Sequence, residues 1–240
     1  MTPKVRLHLD QPLVPGQPLQ LDRDQSNYLF AVMRLEVGQS ILAFNGRDGE
    51  WVATVAAASK RGGELFVQHQ TRPVQLPPDL WLMFAPIKKA RTDFIVEKAT
   101  ELGAARIMPV MTEYTNAERI RQDRLQAHAV EATEQCGGTF VPVVDDLQPL
   151  SRVLAGWQPG RQLLWCDEAM VGASRPLAGL PRGPWAVLIG PEGGFSAAEQ
   201  TRLRALPFVH ALSLGPRILR ADTAAVAALT LWQAALGDWG

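Results

Sequence analysis

The stretch Ala186-Val187-Leu188-Ile189-Gly190-Pro191-Glu192-Gly193-Gly194-Phe195-Ser196-Ala197-Ala198-Glu199 decides the fold. Four apolar residues in a row predict a strand buried on both faces, as in a parallel sheet. The strand runs straight into a glycine-rich loop, and Ser196 with Glu199 has the spacing of a capping box that opens a helix. Strand, glycine loop, helix is the unit from which open α/β sheets are built, and ligands bind at the carboxyl ends of such strands. Glycines there let a ligand approach the backbone closely. The loop holds neither GxxxxGK nor GxGxxG, so it is neither a P-loop nor a dinucleotide fingerprint.

Working outward, Leu80 to Pro86, Ile107 to Met111 and Leu163 to Cys166 are further expected strands. They alternate with helical patterns at Asp93 to Leu102, closed by Gly103, and at Arg124 to Gln135, which predicts a largely parallel sheet flanked by helices. Downstream, Leu212-Ser213-Leu214-Gly215-Pro216-Arg217-Ile218-Leu219-Arg220-Ala221-Asp222-Thr223 repeats the order of strand, Gly-Pro loop and helix, with two arginines beside apolar residues. Arg217 and Arg220 need carboxylates, phosphates or carbonyls as partners, and an ion pair of Arg220 with Asp222 or Glu192 is the plain structural reading. The final helix, Thr223 to Gly237, is uncharged but short of the roughly 20 apolar residues that span a bilayer. Its Leu229, Trp232 and Leu236 form a stripe for packing within the chain or against a partner.

Residues 1–72 read differently. Ser40 to Phe44 and Glu50 to Val55 flank Asn45-Gly46 and Asp48-Gly49 as in a hairpin, and Glu64 to Val67 follows. These runs predict a small β barrel with one short helix near Asp24 to Met33. Eight basic residues stand against seven acidic ones there, so any basic face is local. Three prolines in Arg72 to Pro78 mark a linker, placing a first domain at 1–72, a linker at 73–79 and a second domain at 80–240.

The 240 residues carry 24 basic and 24 acidic side chains, so net charge announces no partner. Cys136 and Cys166 form no CxxC and argue against a disulfide framework or zinc knuckle, which suits a reducing cytoplasm. No secretion signal follows Met1-Thr2-Pro3-Lys4-Val5-Arg6. The four histidines are scattered, and His210 reads as a core residue rather than a base or metal ligand.

Taken in order, several motifs resemble one family. They are Asn27-Tyr28-Leu29 with Met33-Arg34-Leu35 and Gly38, Pro86-Ile87-Lys88-Lys89, Glu97-Lys98-Ala99-Thr100-Glu101-Leu102-Gly103, Glu134-Gln135-Cys136, and the two loop segments quoted above. The chain is similar end to end to the RsmE-type ribosomal RNA methyltransferases of the SPOUT superfamily. The resemblance implies a PUA-like β barrel for RNA, then an α/β domain closed by a trefoil knot. It implies methylation of N3 of a uridine, position 1498 in the family's target, in 16S small-subunit ribosomal RNA. S-adenosylmethionine would be the donor, with no metal, and a homodimer the working form.

By the same resemblance, Met111, Leu188, Ile189, Gly190, Pro191, Glu192, Gly193, Leu214, Gly215, Ile218, Leu219 and Ala221 would hold the donor. Arg220 would stabilise the deprotonated uridine, with Asp222 orienting the guanidinium and Glu192 accepting the proton. Arg6, Arg34, Lys60, Arg61, Lys88 and Lys89 are the expected phosphate contacts. Three positions depart from the family pattern: Glu113-Tyr114 and Gly138 where relatives carry arginine, and Asp222 where they carry glutamate. Two other readings are a non-catalytic RNA-binding or ribosome-assembly factor and a SPOUT methyltransferase acting on another RNA site.

Overall fold

The computed structural model describes residues 3–59, 62–116, 119–167, 177 and 179–239. The chain divides into two compact units, Met1–Leu76 with Thr133–Val141, and Pro77–Ala132 with Pro142–Gly240.

The first unit is a five-stranded sheet in the order β1 (Arg6–His8), β3 (Ser40–Phe44), β4 (Glu50–Ser59), β5 (Gly62–Arg72), β2 (Pro18–Leu21). The β3–β4 hairpin is antiparallel, as its turn residues predict, whereas β1 joins β3 in parallel. Leu7 from one edge strand meets Leu19 and Leu21 from the other in a single core with Leu29, Ile41 and Val55, so the sheet curls on itself. The expected short helix is α1 (Arg23–Ser26), capped by Asp22 and continued by a π-helical turn over Asn27–Val32.

Residues 133–141, expected with the second domain, are counted with this first unit. They are held by two arginines. Arg6 donates to the carbonyls of Thr133, Glu134 and Gly138 at 2.7, 2.8 and 2.6 Å, and Arg72 donates to that of Gly137 at 2.9 Å. Both guanidiniums share the buried Glu50 carboxylate, at 2.9 and 2.7 Å. Carbonyls at the end of a helix lack intrahelical donors, and these cations supply them.

The second unit is a parallel sheet in the order β12 (Val209–Leu212), β10 (Gln162–Cys166), β11 (Trp185–Ile189), β6 (Leu80–Phe84), β7 (Arg106–Met111), β8 (Val143–Val144), with the short β9 (Gln148–Pro149) also on β7. All four strands expected here form, β12 closing one edge. Side chains alternate across β11: Trp185, Val187 and Ile189 enter one core, Ala186 and Leu188 the other. The first core is covered by α2 (Lys89–Glu101), α3 (Gln122–Cys136) and α6 (Ala221–Leu236), the second by α4 (Leu150–Ala155) and α5 (Ala197–Ala205). Each large apolar side chain so buried contributes about 1.5–3 kcal/mol, set against chain entropy. The stripe of Leu229, Trp232 and Leu236 lies in this same core, so its packing is within the chain. His210 is a partnered residue, its Nε2 2.8 Å from Gln162 Oε1, and burial lowers its pKa. No helix is long and apolar enough to cross a membrane among the described residues.

Burial alone would raise the Glu50 pKa, but hydrogen bonds from Arg72, Thr71 and Arg6 outweigh it and hold the carboxyl below its ordinary 4.5. A depressed folded-state pKa adds stability that is fully present above the unfolded value and is lost as pH falls through the folded one. Glu50→Gln is therefore expected to cost about 2–4 kcal/mol at pH 7. By urea denaturation, the gap between variant and parent should close on acidification below pH 4.5.

Candidate functional site

At the carboxyl ends of β10, β11 and β12, the end of β10 and the loops after β11 and β12 line a cavity of about 200 Å³ within the second unit. The first of these loops begins where β11 ends. Pro191 to Gly194 forms a tight turn in which the Gly194 amide donates to the Pro191 carbonyl at 2.9 Å, and Gly194 takes φ +68°. Helix α5 then starts on the expected capping box: Ser196 Oγ accepts from the Glu199 amide, and Glu199 Oε2 accepts from the Ser196 amide. The other oxygen of Glu199 accepts from the Glu113 amide at 3.0 Å, tying the end of β7 to the same helix start.

Gly190 admits no larger residue without movement. A Cβ there would lie 2.7 Å from Cε2 of Phe195, a ring buried edge-on against Trp165. The second wall runs from Leu212 to Ala221, with Gly215 at φ +107°, a backbone conformation that glycine favours.

Of the residues expected to hold a donor, Ile189, Gly190, Pro191, Glu192, Leu214, Gly215, Ile218, Leu219 and Ala221 line this cavity. Leu188 does not, because its register on β11 sends it into the core beside Met83 and Trp165. Gly193 is solvent-exposed and its open side faces Tyr114, 3.3 Å from where a Cβ would stand. Met111 lines a separate cavity with Leu150, Leu154 and Arg202. Residues lining the cavity that were not expected in the site are Cys166, Asp167, Gly194, Phe195, Leu212, Ser213, Arg217 and Ala224. For Cys166, Asp167, Leu212 and Ser213 the signal was position alone, at the carboxyl ends of β10 and β12.

Arg220 and Glu192, both exposed, stand in the cavity wall. Asp222, expected to orient Arg220, instead faces Arg91 on α2, Nε to Oδ2 3.7 Å, because it points from the first turn of α6 toward the helix packed beside it. Arg217 and Arg220 form no ion pair among the described residues, so the plain reading of an Arg220 bridge to Asp222 or Glu192 is not what forms. Arg6 spends four of its five guanidinium N–H groups on Glu50 and the carbonyls above and is largely buried, which takes it away from phosphate. Arg34, at φ +56°, and Lys88 and Lys89 at the start of α2 are exposed. Lys60 and Arg61 lie outside the described residues.

Residues 74–233 match the model of an RNA methyltransferase domain, and residues 21–68 that of an RNA methyltransferase PUA domain. A ribosomal RNA small subunit methyltransferase E of Synechocystis is 31% identical over 85% of this chain and 69% of its own length. The chain belongs to this methyltransferase family. Its fold class is SPOUT α/β with a PUA-like domain before it. A structure of the small subunit methyltransferase E of Neisseria gonorrhoeae, bound to S-adenosyl methionine, superposes with a TM-score of 0.87 at 27% identity, covering 98% of this chain and 99% of that one. A Legionella pneumophila protein solved in complex with the same cofactor gives 0.87 at 29% identity, covering 98% of each chain.

Among the described residues the cavity wall offers no thiol poised as a nucleophile. Burial pushes the Cys166 thiol up to about 12, so it stays protonated at neutral pH. Among the described residues no group of three or more His, Cys, Asp and Glu could hold a metal ion. The remaining chemistry of the wall is apolar surface, backbone polar groups and a few charges. Gly190→Ala forces Phe195 into the cavity, and isothermal titration with S-adenosylmethionine should show at least about a tenfold loss of affinity. Gly193→Ala, outside the cavity, should cost far less in the same titration.

Proposed function

We propose that this chain transfers a methyl group from S-adenosylmethionine to N3 of a uridine in 16S small-subunit ribosomal RNA. The observation that carries the reading is the cavity at the ends of β10, β11 and β12, which sets Arg220 beside glycine backbone and apolar walls. The residues fit the donor: Gly194 and Gly215 present backbone that a flat base can approach closely, and Ile189, Leu214, Leu219 and Ala221 supply apolar contact. When bound, the donor supplies an activated methyl group on sulfur, and transfer is an in-line displacement that depends on alignment more than on acid-base machinery.

N3 of uridine lies on the pairing edge and carries a proton, so the target base must be unpaired or flipped out to reach the cavity. Its two flanking carbonyls spread the charge left when the proton departs. Arg220, exposed and without a carboxylate partner among the described residues, is suited to stabilise that charge, and Glu192 on the facing loop is the carboxylate available to accept the proton. Asp222 contributes through Arg91, holding the start of α6 rather than the guanidinium.

Arg34, Lys88 and Lys89 are the phosphate contacts of this reading, with Lys60 and Arg61. We place the chain in the cytoplasm as a homodimer, with Ile218 and Leu231, 75% and 46% exposed, as apolar surface for the second copy. Sedimentation should show a dimer at working concentration. Reading another RNA site has no separate observation in its favour.

Nucleoside mass spectrometry of ribosomal RNA from a deletion strain tests the proposal: 3-methyluridine should vanish from the small subunit and return with the gene. Its persistence without the gene would end it. Arg220→Ala should lower turnover at least about a hundredfold while donor affinity changes less than about threefold, because the charge matters in the transition state. Lys88→Ala with Lys89→Ala should flatten the salt dependence of RNA binding, the log-log slope falling by about one for each phosphate no longer neutralised.

A further inference from the structure

The chain leaving β7 makes a turn whose two central residues are Glu113 and Tyr114. Its base is closed by the threonines on either side. The Thr115 amide donates to the Thr112 carbonyl at 3.2 Å, the Thr112 amide donates to Thr115 Oγ1 at 2.9 Å, and the two hydroxyls lie 2.9 Å apart. At the tip, the Glu113 amide donates to Glu199 of α5 at 3.0 Å, so the turn is held at both ends. The Tyr114 side chain rests on the glycine loop: its Cβ lies 3.3 Å, and its Cγ and Cδ2 3.7 Å, from where a Cβ of Gly193 would stand. Tyr114 is still 45% exposed, and its hydroxyl has no hydrogen-bond partner among the described residues.

A single exposed aromatic is ordinary on a protein surface. This one is fixed in place against the loop whose Glu192 lines the cavity, and RNA that delivers a base there must pass it. The charges beside it say what it takes. Glu113 in the same turn and Glu192 next to Gly193 are both exposed, which disfavours phosphate and leaves a neutral flat group as the fitting partner. An aromatic face offers such a group stacking, the means by which proteins hold unpaired RNA bases. Neither Tyr114 nor Gly193 lines the cavity, so a base stacked here is not the base inside it.

We propose that Tyr114 stacks on an unpaired base next to the target uridine. The proposal rests on the reading of the cavity as the donor site of an RNA methyltransferase. Turning the target out of its stack deprives the neighbouring base of a partner, and a ring held in place supplies the missing face. Stacking accepts any base, so Tyr114 holds the strand without reading its sequence.

The test is a double-mutant cycle on the full chain, with Tyr114→Leu and Tyr114→Phe as protein variants. The RNA variants are small-subunit ribosomal RNAs with an abasic nucleotide on one side of the target or the other. Leucine keeps apolar bulk against Gly193 without an aromatic face, whereas phenylalanine keeps the face and loses the hydroxyl. On intact RNA, Tyr114→Leu should weaken RNA binding about tenfold and Tyr114→Phe less than about twofold, with donor affinity in both within about twofold of the parent. In one of the two abasic RNAs the gap between parent and Tyr114→Leu should close. Equal RNA binding by parent and Tyr114→Leu overturns the proposal, as does a gap that persists in both abasic RNAs. A Tyr114→Phe variant as weak as Tyr114→Leu, or a loss of donor affinity as large as the loss of RNA affinity, overturns it too. Parent protein that binds S-adenosylmethionine but methylates no small-subunit RNA would remove the proposed function itself, a result distinct from a cycle without coupling.

Discussion

Everything at the site depends on one strand being paired on both edges and covered on both faces. β11 lies between β10 and β6 in parallel register, with Trp185, Val187 and Ile189 packed on one side and Ala186 and Leu188 on the other. A strand held this way has no freedom to shift, because a slip of one residue would exchange the two apolar sets. Its end is therefore fixed, and Gly190 begins the loop at a defined place. β10 ends beside it and β12 beside β10, in matching register, so the ends of all three strands come together at one edge of the sheet. The helices respond to the same constraint: α6 returns across the sheet to pack on β11 and α2, carrying Arg220 at its start to the cavity.

The charges around the cavity divide by depth. Arg217, Arg220 and Glu192 stand in solvent, where they are free to meet a polyanion or a reacting base. Asp167 is buried in the wall and pairs with Arg204 of α5. The first unit shows what happens when cations are given internal work: Arg6 and Arg72 close the end of α3 and neutralise Glu50, and their role is cohesion. Arginine on a β domain is thus no sign of RNA binding until its partners are counted.

Local patterns were legible in the sequence, and pairings distant in sequence were not. The run of apolar residues before Gly190, the Ser196 to Glu199 capping box and the Asn45-Gly46 hairpin each depend on neighbours a few residues apart, and each formed as expected. α2 begins at Lys89, four residues ahead of the periodic stretch from Asp93, because Lys88 caps it without a side-chain hydrogen bond to announce it. The association of residues 133–141 with the β sheet depends on Arg6, Glu50 and Arg72, and no spacing signals such a pairing. The same holds for Asp222 and Arg91, joined only because α2 and α6 pack together. Nine of the residues the family motifs single out line the cavity, while Leu188, Gly193 and Met111 lie elsewhere, directed there by strand register, the loop's tight turn and the end of β7. Asp167 carried no motif at all.

The central claim is that the cavity at the ends of β10, β11 and β12 is the donor site. A crystal structure of the chain grown with S-adenosylmethionine addresses it most directly. The account predicts the donor between Gly190 and the Leu214 to Ala221 segment, its base against glycine backbone and its sulfonium within reach of Arg220's side of the cavity. Donor bound instead in the Met111, Leu150 and Leu154 cavity, or elsewhere on the chain, would contradict it.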